Sequence, residues 1–182
     1  MPLYCVLAHL LGKQLGGGLK EHLLNLSSDK QRIKYIAEMT ADITELEHFP
    51  QYLTLLFEID SLFLNDDRHL NNIAVLERNG KYDYCPIFDN GAALLSNTQI
   101  ARMDISPKAL ITSLRARPFN MSFTRQMNTA RNLYGRQLKM SILDKKKISE
   151  LLEPKLMYYP ARDRAIISER VDECILTRQT LL

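Results

Sequence analysis

The chain carries the stretch Asp67-Arg68-His69-Leu70-Asn71-Asn72, followed a short distance later by Ile87-Phe88-Asp89-Asn90-Gly91. An acid precedes an amide by five positions, and a second acid follows the amide. One carboxylate can orient and deprotonate a hydroxyl, while an amide oxygen and a second carboxylate suit a magnesium ion on phosphate groups. Asp67, Asn72 and Asp89 are therefore candidate residues of a phosphoryl-transfer site.

Each motif also has a simpler interpretation. Asp, Asn and Gly are ordinary turn residues, so Asp67 or Asp89 could merely cap a turn. Both motifs in this order favour one shared site. Asp66 competes with Asp67 for the role of base, but its offset from Asn72 is longer by one position. A histidine beside a turn more often supports its neighbours by packing and hydrogen bonding than it carries protons, so His69 is assigned to the catalytic group as a support.

The residues on either side of the first motif place it on a loop that leaves the core. Residues 49–64 are largely apolar, with spacing that predicts a helix buried over much of its surface and with Pro50 in its first turn. The apolar pattern stops at Asn65-Asp66-Asp67, which indicates a loop. Polar residues on a loop held by a rigid helix are a usual setting for chemistry.

A hairpin is predicted between the two motifs. The strand-like runs 73–77 and 82–88 flank Asn79-Gly80, a dipeptide that strongly favours a tight hairpin turn. The returning strand would bring Asp89 beside Asn72. This geometry supports a single site for both motifs.

Asp67-Arg68-His69-Leu70-Asn71-Asn72-Ile73 resembles the catalytic loop of the HipA-like kinases, and also that of the phosphatidylinositol kinases. Pro86-Ile87-Phe88-Asp89-Asn90-Gly91 resembles the HipA-like metal-binding motif. Arg117-Pro118-Phe119 and Phe123-Thr124-Arg125-Gln126 are similar to segments of bacterial proteins with a HipA-like C-terminal domain. The resemblance covers about residues 25–150.

The resemblance implies an ATP-dependent serine/threonine kinase of a bacterial toxin–antitoxin type, with a protein as the phosphorylated substrate. It implies that Asp67 is the catalytic base and that Asn72 and Asp89 bind Mg²⁺ and the nucleotide that the metal accompanies. Fold-level similarity does not by itself fix the substrate.

Composition is that of one compact domain covering residues 1–182. The chain has 46% hydrophobic residues and a net charge of +3, which suits a sizeable core and gives no sign of a nucleic-acid partner. The only basic run, Lys145-Lys146-Lys147, is better interpreted as a solvated helix face. Cys5, Cys85 and Cys174 are too scattered for a disulfide framework or a metal motif, which favours the cytoplasm. Neither a signal peptide nor a membrane span is expected.

Most of the chain is predicted to be helical. Helices are expected near residues 3–11, from Ser27-Ser28-Asp29 to Thr44, and over 49–64. Further helices are expected after Ser106-Pro107 and near 122–134, 144–152 and 161–181. The predicted fold class is mainly α with one small β-hairpin, in the order of a protein-kinase C-terminal lobe.

The N-terminal lobe of such a kinase is not evident. A strand-rich unit with a glycine-rich loop and an ATP-contacting Lys normally comes first, whereas the residues before Asp67 are predicted to be helical. Gly16-Gly17-Gly18 lacks the spaced glycines of a nucleotide loop, and a flexible connection between helices is the better interpretation.

Two functions remain open on the sequence. The chain could be the catalytic lobe of a HipA-like kinase, inactive alone, that works with a partner chain supplying the nucleotide lobe. Alternatively it could be a non-catalytic kinase remnant that acts as a protein-interaction module. Hydrolase interpretations are weaker, because the chain has no Gly-x-Ser-x-Gly or His-Glu-x-x-His motif.

Overall fold

The computed structural model describes residues 3–182 and is mainly helical, with one small antiparallel sheet. The three strands span Leu3–Val6 (β1), Ala74–Arg78 (β2) and Lys81–Tyr84 (β3). Eight helices occur among residues 3–182, and in chain order they are Leu7–Gln14 (α1), Leu19–Asn25 (α2), Asp29–Thr44 (α3), Phe49–Phe63 (α4), Pro107–Ser113 (α5), Phe123–Tyr134 (α6), Lys145–Leu156 (α7) and Ala161–Gln179 (α8).

Helix α4 lies at the centre of the molecule and packs against α3, α6 and α8. Its apolar side chains join those of α1, α3 and β2 in the main core. Ile33, Ile36 and Thr40 form part of the buried face of α3. Because α4 is buried on most sides, its C-terminal end is held firmly in position, and so is the start of the loop that follows it.

Several helices begin at the residues that the sequence indicates. The Ser28 hydroxyl accepts a hydrogen bond from the Gln31 amide at 3.2 Å, and the Ser106 hydroxyl accepts one from Ala109 at 3.4 Å. These bonds satisfy amides that a helix leaves unpaired in its first turn. The predicted helices near 122–134, 144–152 and 161–181 are confirmed as α6, α7 and α8, although α7 continues through Pro154 to Leu156.

The predicted hairpin is confirmed, and Asn79 and Gly80 form its turn. Their φ angles of 53° and 73° are both left-handed, as a two-residue turn between antiparallel strands requires. β2 pairs with β3 through Val75 and Tyr84, and with β1 through Val75 and Cys5. The strand order is therefore β1-β2-β3.

Two expectations about the first residues need correction. The predicted helix near residues 3–11 is wrong for Leu3–Val6, which form β1, and the single predicted hairpin is instead a three-stranded sheet. A four-residue apolar run has the same appearance in a strand and in a buried helix. Its pairing with β2, which lies some seventy residues away, decides the outcome. The Gly16-Gly17-Gly18 segment connects α1 to α2 with three left-handed φ angles, as expected for a turn between helices.

Candidate active site

The loop that carries Asp67 begins at a sharp end of α4. Leu64 is fully buried, adopts a left-handed φ of 55°, and closes the helix with its amide bonded to the Asp60 carbonyl. The Asn65 amide also donates to the Asp60 carbonyl, at 3.1 Å. This double closure turns the chain out of the core just before Asp66 and Asp67, so the sequence-predicted loop is confirmed.

Asp67 presents its carboxylate to solvent, with 58% of its side chain exposed. His69 Nε2 lies 3.8 Å from Asp67 Oδ1, and the His69 amide donates to the Asp67 carbonyl at 2.8 Å. His69 Nδ1 is buried without a hydrogen-bond partner among residues 3–182. His69 therefore lies directly beside Asp67.

Asn72 is buried beneath this loop, in a short 3₁₀ turn spanning Leu70–Asn72. Its side-chain Nδ2 donates to the Asp67 carbonyl oxygen at 2.9 Å. That bond commits the amide nitrogen to the loop and leaves the amide oxygen Oδ1 as the atom that can accept a bond or bind a cation. The five-residue spacing of Asp67 and Asn72 thus corresponds to a direct contact.

Asp89 follows β3 and has a φ of 53°. A left-handed φ is uncommon outside glycine, and such residues concentrate at functional sites, where the surrounding structure holds them in place. The Asp89 carbonyl oxygen accepts a hydrogen bond from Asn65 Nδ2 at 3.3 Å. The same Asn65 side chain accepts a bond from the Asp67 amide at 3.4 Å. One asparagine therefore bridges the main chains of Asp67 and Asp89.

Arg68 is the second bridge between the two motifs, and its side chain is fully buried. Its Nη1 donates to the carbonyl oxygen of Asn72 at 3.0 Å and to that of Phe88 at 2.5 Å. Its Nη2 donates to Asn90 Oδ1 at 2.6 Å. A single guanidinium thus holds both ends of the candidate site, using the fixed fork of donors that only arginine has.

The charge of Arg68 is balanced by Asp60 of α4. Arg68 Nε lies 3.0 Å from Asp60 Oδ2, and Arg68 Nη2 donates to Oδ1 at 3.0 Å. Burial raises the pKa of Asp60 to about 6, while the bonds from Arg68 and Asn65 act in the opposite direction. The buried ion pair anchors the site to the central helix.

The structure brings the main chains of Asp67, Asn72 and Asp89 together and places His69 beside Asp67. Asp66, the rival base, is partly buried, and this burial raises the pKa of its carboxyl group. Sequence reasoning missed Asp60, Asn65 and Arg68. The one available signal was Asp60 itself, which with Glu58 is one of two acids in a largely apolar helix.

The donor atoms at this site suit a hard cation. Two carboxylates and an amide oxygen are oxygen ligands of the kind that magnesium binds, with phosphate and water completing its shell. Among residues 3–182, no three side chains of His, Cys, Asp or Glu cluster as a metal centre. Of the sequence-predicted residues, Asn72 and Asp89 are the expected ligands of such a cation, and Asp67 is the expected base.

Comparisons with protein-family models, with curated proteins and with solved structures gave no match to this chain. Among residues 3–182, none of the helices combines the length and the apolar character that crossing a bilayer requires.

Proposed function

We propose that the chain is the catalytic lobe of a HipA-like serine/threonine kinase that transfers the ATP γ-phosphoryl group to a protein hydroxyl in the bacterial cytoplasm. The observation that carries the proposal is the double bridge made by Asn65 and Arg68. These residues bond to the main chains of Asp67, Asn72, Phe88 and Asp89 at once. These bonds hold the two acid-bearing loops in a fixed relation to each other, as a shared site requires.

The proposed chemistry assigns one role to each side chain. Asp67 accepts the proton of the attacking hydroxyl as that oxygen bonds to the γ-phosphorus, and the bond to the β–γ bridging oxygen breaks to release ADP. Asn72 and Asp89 would hold Mg²⁺, which neutralises charge on the phosphates when bound. The exposed carboxylate of Asp67 is accessible to a protein substrate. His69, which lies beside it, supports the loop that carries Asp67.

In the part of the chain that the structure describes, β1 is an edge strand, and its outer side adds a surface for the nucleotide base. Leu7 N donates to the Ile73 carbonyl at 2.9 Å, so in this register the main-chain groups of Tyr4 and Val6 point away from β2. Adjacent main-chain donors and acceptors complement the edge of a purine. The Tyr4 ring also contacts the Phe88 ring, with centroids 5.8 Å apart, which places this edge near Asp89.

The proposed site lacks groups that would position the phosphates of ATP among residues 3–182. Among residues 3–182, β1 is the only strand before α4, and no glycine-rich strand–loop unit precedes the site. Magnesium bound by one amide and one or two carboxylates depends on well-placed phosphates. We therefore propose that a partner chain or a further lobe supplies the phosphate-binding loop, and that this chain alone transfers phosphate at close to the background rate.

The test is a radiolabelled-ATP assay on the chain alone and on a fusion that places the nucleotide lobe of a HipA-like kinase ahead of Leu3. Binding of Mg–ATP to the fusion first establishes that its nucleotide site is assembled. We expect transfer by the fusion, and Asp67→Asn should lower its rate by about 10²–10⁴-fold. Asp66→Asn, one position away, should leave the rate unchanged. A fusion that binds Mg–ATP but transfers no faster than its Asp67→Asn variant would contradict the proposal.

A second candidate is a protein-interaction module, favoured by the same outer side of β1. Leu3 and Tyr4 expose 68% and 66% of their surface there, and an unpaired edge strand with exposed apolar side chains can accept a strand of another protein. This module would need neither Asp67 nor Asp89. The interaction module would be favoured over the kinase by two results together. The fusion would show no transferase activity, and partner binding would persist in both the Asp67→Asn and the Asp89→Asn variants.

A further inference from the structure

A cavity of about 460 Å³ lies between the segment that follows Asp89 and the two C-terminal helices. Its volume is in the range of small-molecule sites. The lining residues come from three separate parts of the chain, which are the segment 93–103, helix α7 with the turn after it, and helix α8.

Arg170 gives this cavity an uncompensated positive charge. Only 4% of the residue is exposed, and its guanidinium donates to the carbonyl oxygens of Leu95, Ala101 and Arg102 at 3.0, 2.8 and 2.7 Å. Its Nε is buried with no hydrogen-bond partner within residues 3–182. No carboxylate of those residues forms an ion pair with it. A buried cation whose partners are all neutral is costly unless an anion approaches it.

The remaining walls are suited to a partly apolar molecule. Leu94, Leu152, Ile167 and Val171 contribute aliphatic surface. Lys155 adds a second positive charge to the lining, while Asp163 contributes the one negative charge and is 3.7 Å from Arg162. The balance of charge among the lining side chains is therefore positive, and aliphatic side chains form much of the wall.

The segment that forms one wall is held in a strained backbone conformation. Leu94 and Leu95 have φ angles of 56° and 60°, which cost energy for residues that carry a Cβ. Arg170 fixes the segment by bonding to the Leu95 and Ala101 carbonyls. A ligand that packs against Leu94 and Leu95 while it neutralises Arg170 would favour this conformation.

We propose that the cavity binds a small amphipathic carboxylate, with an aromatic or aliphatic tail among the aliphatic residues and its carboxylate in the positive field of Lys155 and Arg170. Binding steadies the segment that follows Asp89. Ligand binding in this cavity does not depend on phosphoryl transfer, so it can be tested separately from the proposed function.

The test uses three acids, octanoate, 4-phenylbutanoate and indole-3-propanoate, with octan-1-ol and 4-phenylbutan-1-ol as neutral counterparts. Isothermal titration on the whole chain should give affinities about tenfold higher for octanoate and 4-phenylbutanoate than for the corresponding alcohols, because each acid adds one charge interaction. Hydrogen exchange should slow for amides of residues 93–102 when acid is added. Failure of all three acids to bind, or equal binding of acid and alcohol, would overturn the proposal.

Matched variants locate the binding within the fold. Leu152→Trp fills the cavity and should abolish acid binding, whereas Leu151→Trp, at an exposed neighbour outside the lining, should not. Lys155→Gln should lower the acid affinity several-fold without changing that of the alcohol. Lys147→Gln, on the same helix and bonded to Glu150, should have no effect. Acid binding that is retained in a folded Leu152→Trp protein would also refute the site.

Discussion

Within residues 3–182, three buried arginines donate hydrogen bonds to main-chain carbonyl groups of loops and of a helix end. Arg68 bonds to Asn72 and Phe88, Arg170 to the segment after Asp89, and Arg178 to the Ser61 carbonyl at 2.8 Å. Loops lack the regular partners that helices and strands provide, so their buried carbonyl groups need donors from elsewhere. One arginine side chain can donate hydrogen bonds to several carbonyl groups. For Arg68, those carbonyl groups belong to the candidate site.

Arg68→Ala should lower the free energy of unfolding by about 3–5 kcal/mol, because it leaves Asp60 as a buried charge without its partner. Chemical denaturation measures the change. Arg102→Ala is the control, since Arg102 bonds through an exposed side chain to Asp104, and surface ion pairs contribute little. An equal effect of the two substitutions would show that Arg68 is not the anchor described above.

At the scale of residues, spacing in the sequence predicted Asp67, Asn72 and Asp89 as a group, because a loop and a tight hairpin are short-range features. It could not predict Asp60, Asn65 and Arg68 as their support. The contacts of Arg68 with Phe88 and Asn90 span about twenty residues, and nothing in the local pattern indicates which carbonyl groups a buried arginine will meet.

The helices and strands follow from local signals where caps and turns are present. Ser28, Ser106 and the Asn79-Gly80 dipeptide each fix a boundary that the structure confirms. β1 has no such signal, because Leu3–Val6 becomes a strand only by pairing with β2. Helix α7 passes through Pro154, where the sequence predicted an end at about residue 152.

Gly80→Ala and Gly12→Ala should have opposite effects on stability. An added Cβ meets nothing within 4 Å at either position, but Gly80 has a φ of 73° whereas Gly12 lies within α1. Gly80→Ala should therefore cost about 1–2 kcal/mol from backbone strain alone. Gly12→Ala should add about 0.5–1 kcal/mol to the stability of the fold, because alanine favours a helix. Thermal unfolding followed by circular dichroism tests the signs, and a stabilised Gly80→Ala protein would refute the assigned turn.

Glu58 of α4 fixes the chain after α6. Its fully buried carboxylate accepts bonds from Arg131 Nε at 2.5 Å and from the amides of Gln137 and Leu138 at 3.1 and 2.6 Å. Glu58→Gln should cost about 1.5–3 kcal/mol, the contribution of hydrogen bonds to a charged group. It should also speed hydrogen exchange at the Gln137 and Leu138 amides. Glu153→Gln, at an exposed position on α7, is the control; unchanged exchange at both amides in Glu58→Gln would contradict this contact.

At the scale of the whole molecule, α4 connects every part of the candidate site to the core. It carries Asp60 near its end, it packs against α3, α6 and α8, and the Asp67 loop follows it directly. The mainly helical architecture was predictable, because long apolar periods dominate the sequence. The role of β1 as an edge strand near Phe88 was not, because it depends on the pairing of β1 with β2, which is distant in sequence.

The most direct measurement is paramagnetic broadening of amide NMR signals by Mn²⁺, used in place of Mg²⁺ because it reports weak binding without a nucleotide lobe. If Asp67, Asn72 and Asp89 share one cation, the Asn72 side-chain amide and the main-chain amides of Asp89 and Asn90 should broaden first. Asp89→Asn should remove this broadening, while Asp83→Asn, an exposed acid on the same hairpin, should not. Broadening centred instead on the acidic surface around Glu38, Asp42 and Glu45, with the Asp67 loop unaffected, would contradict a shared metal site.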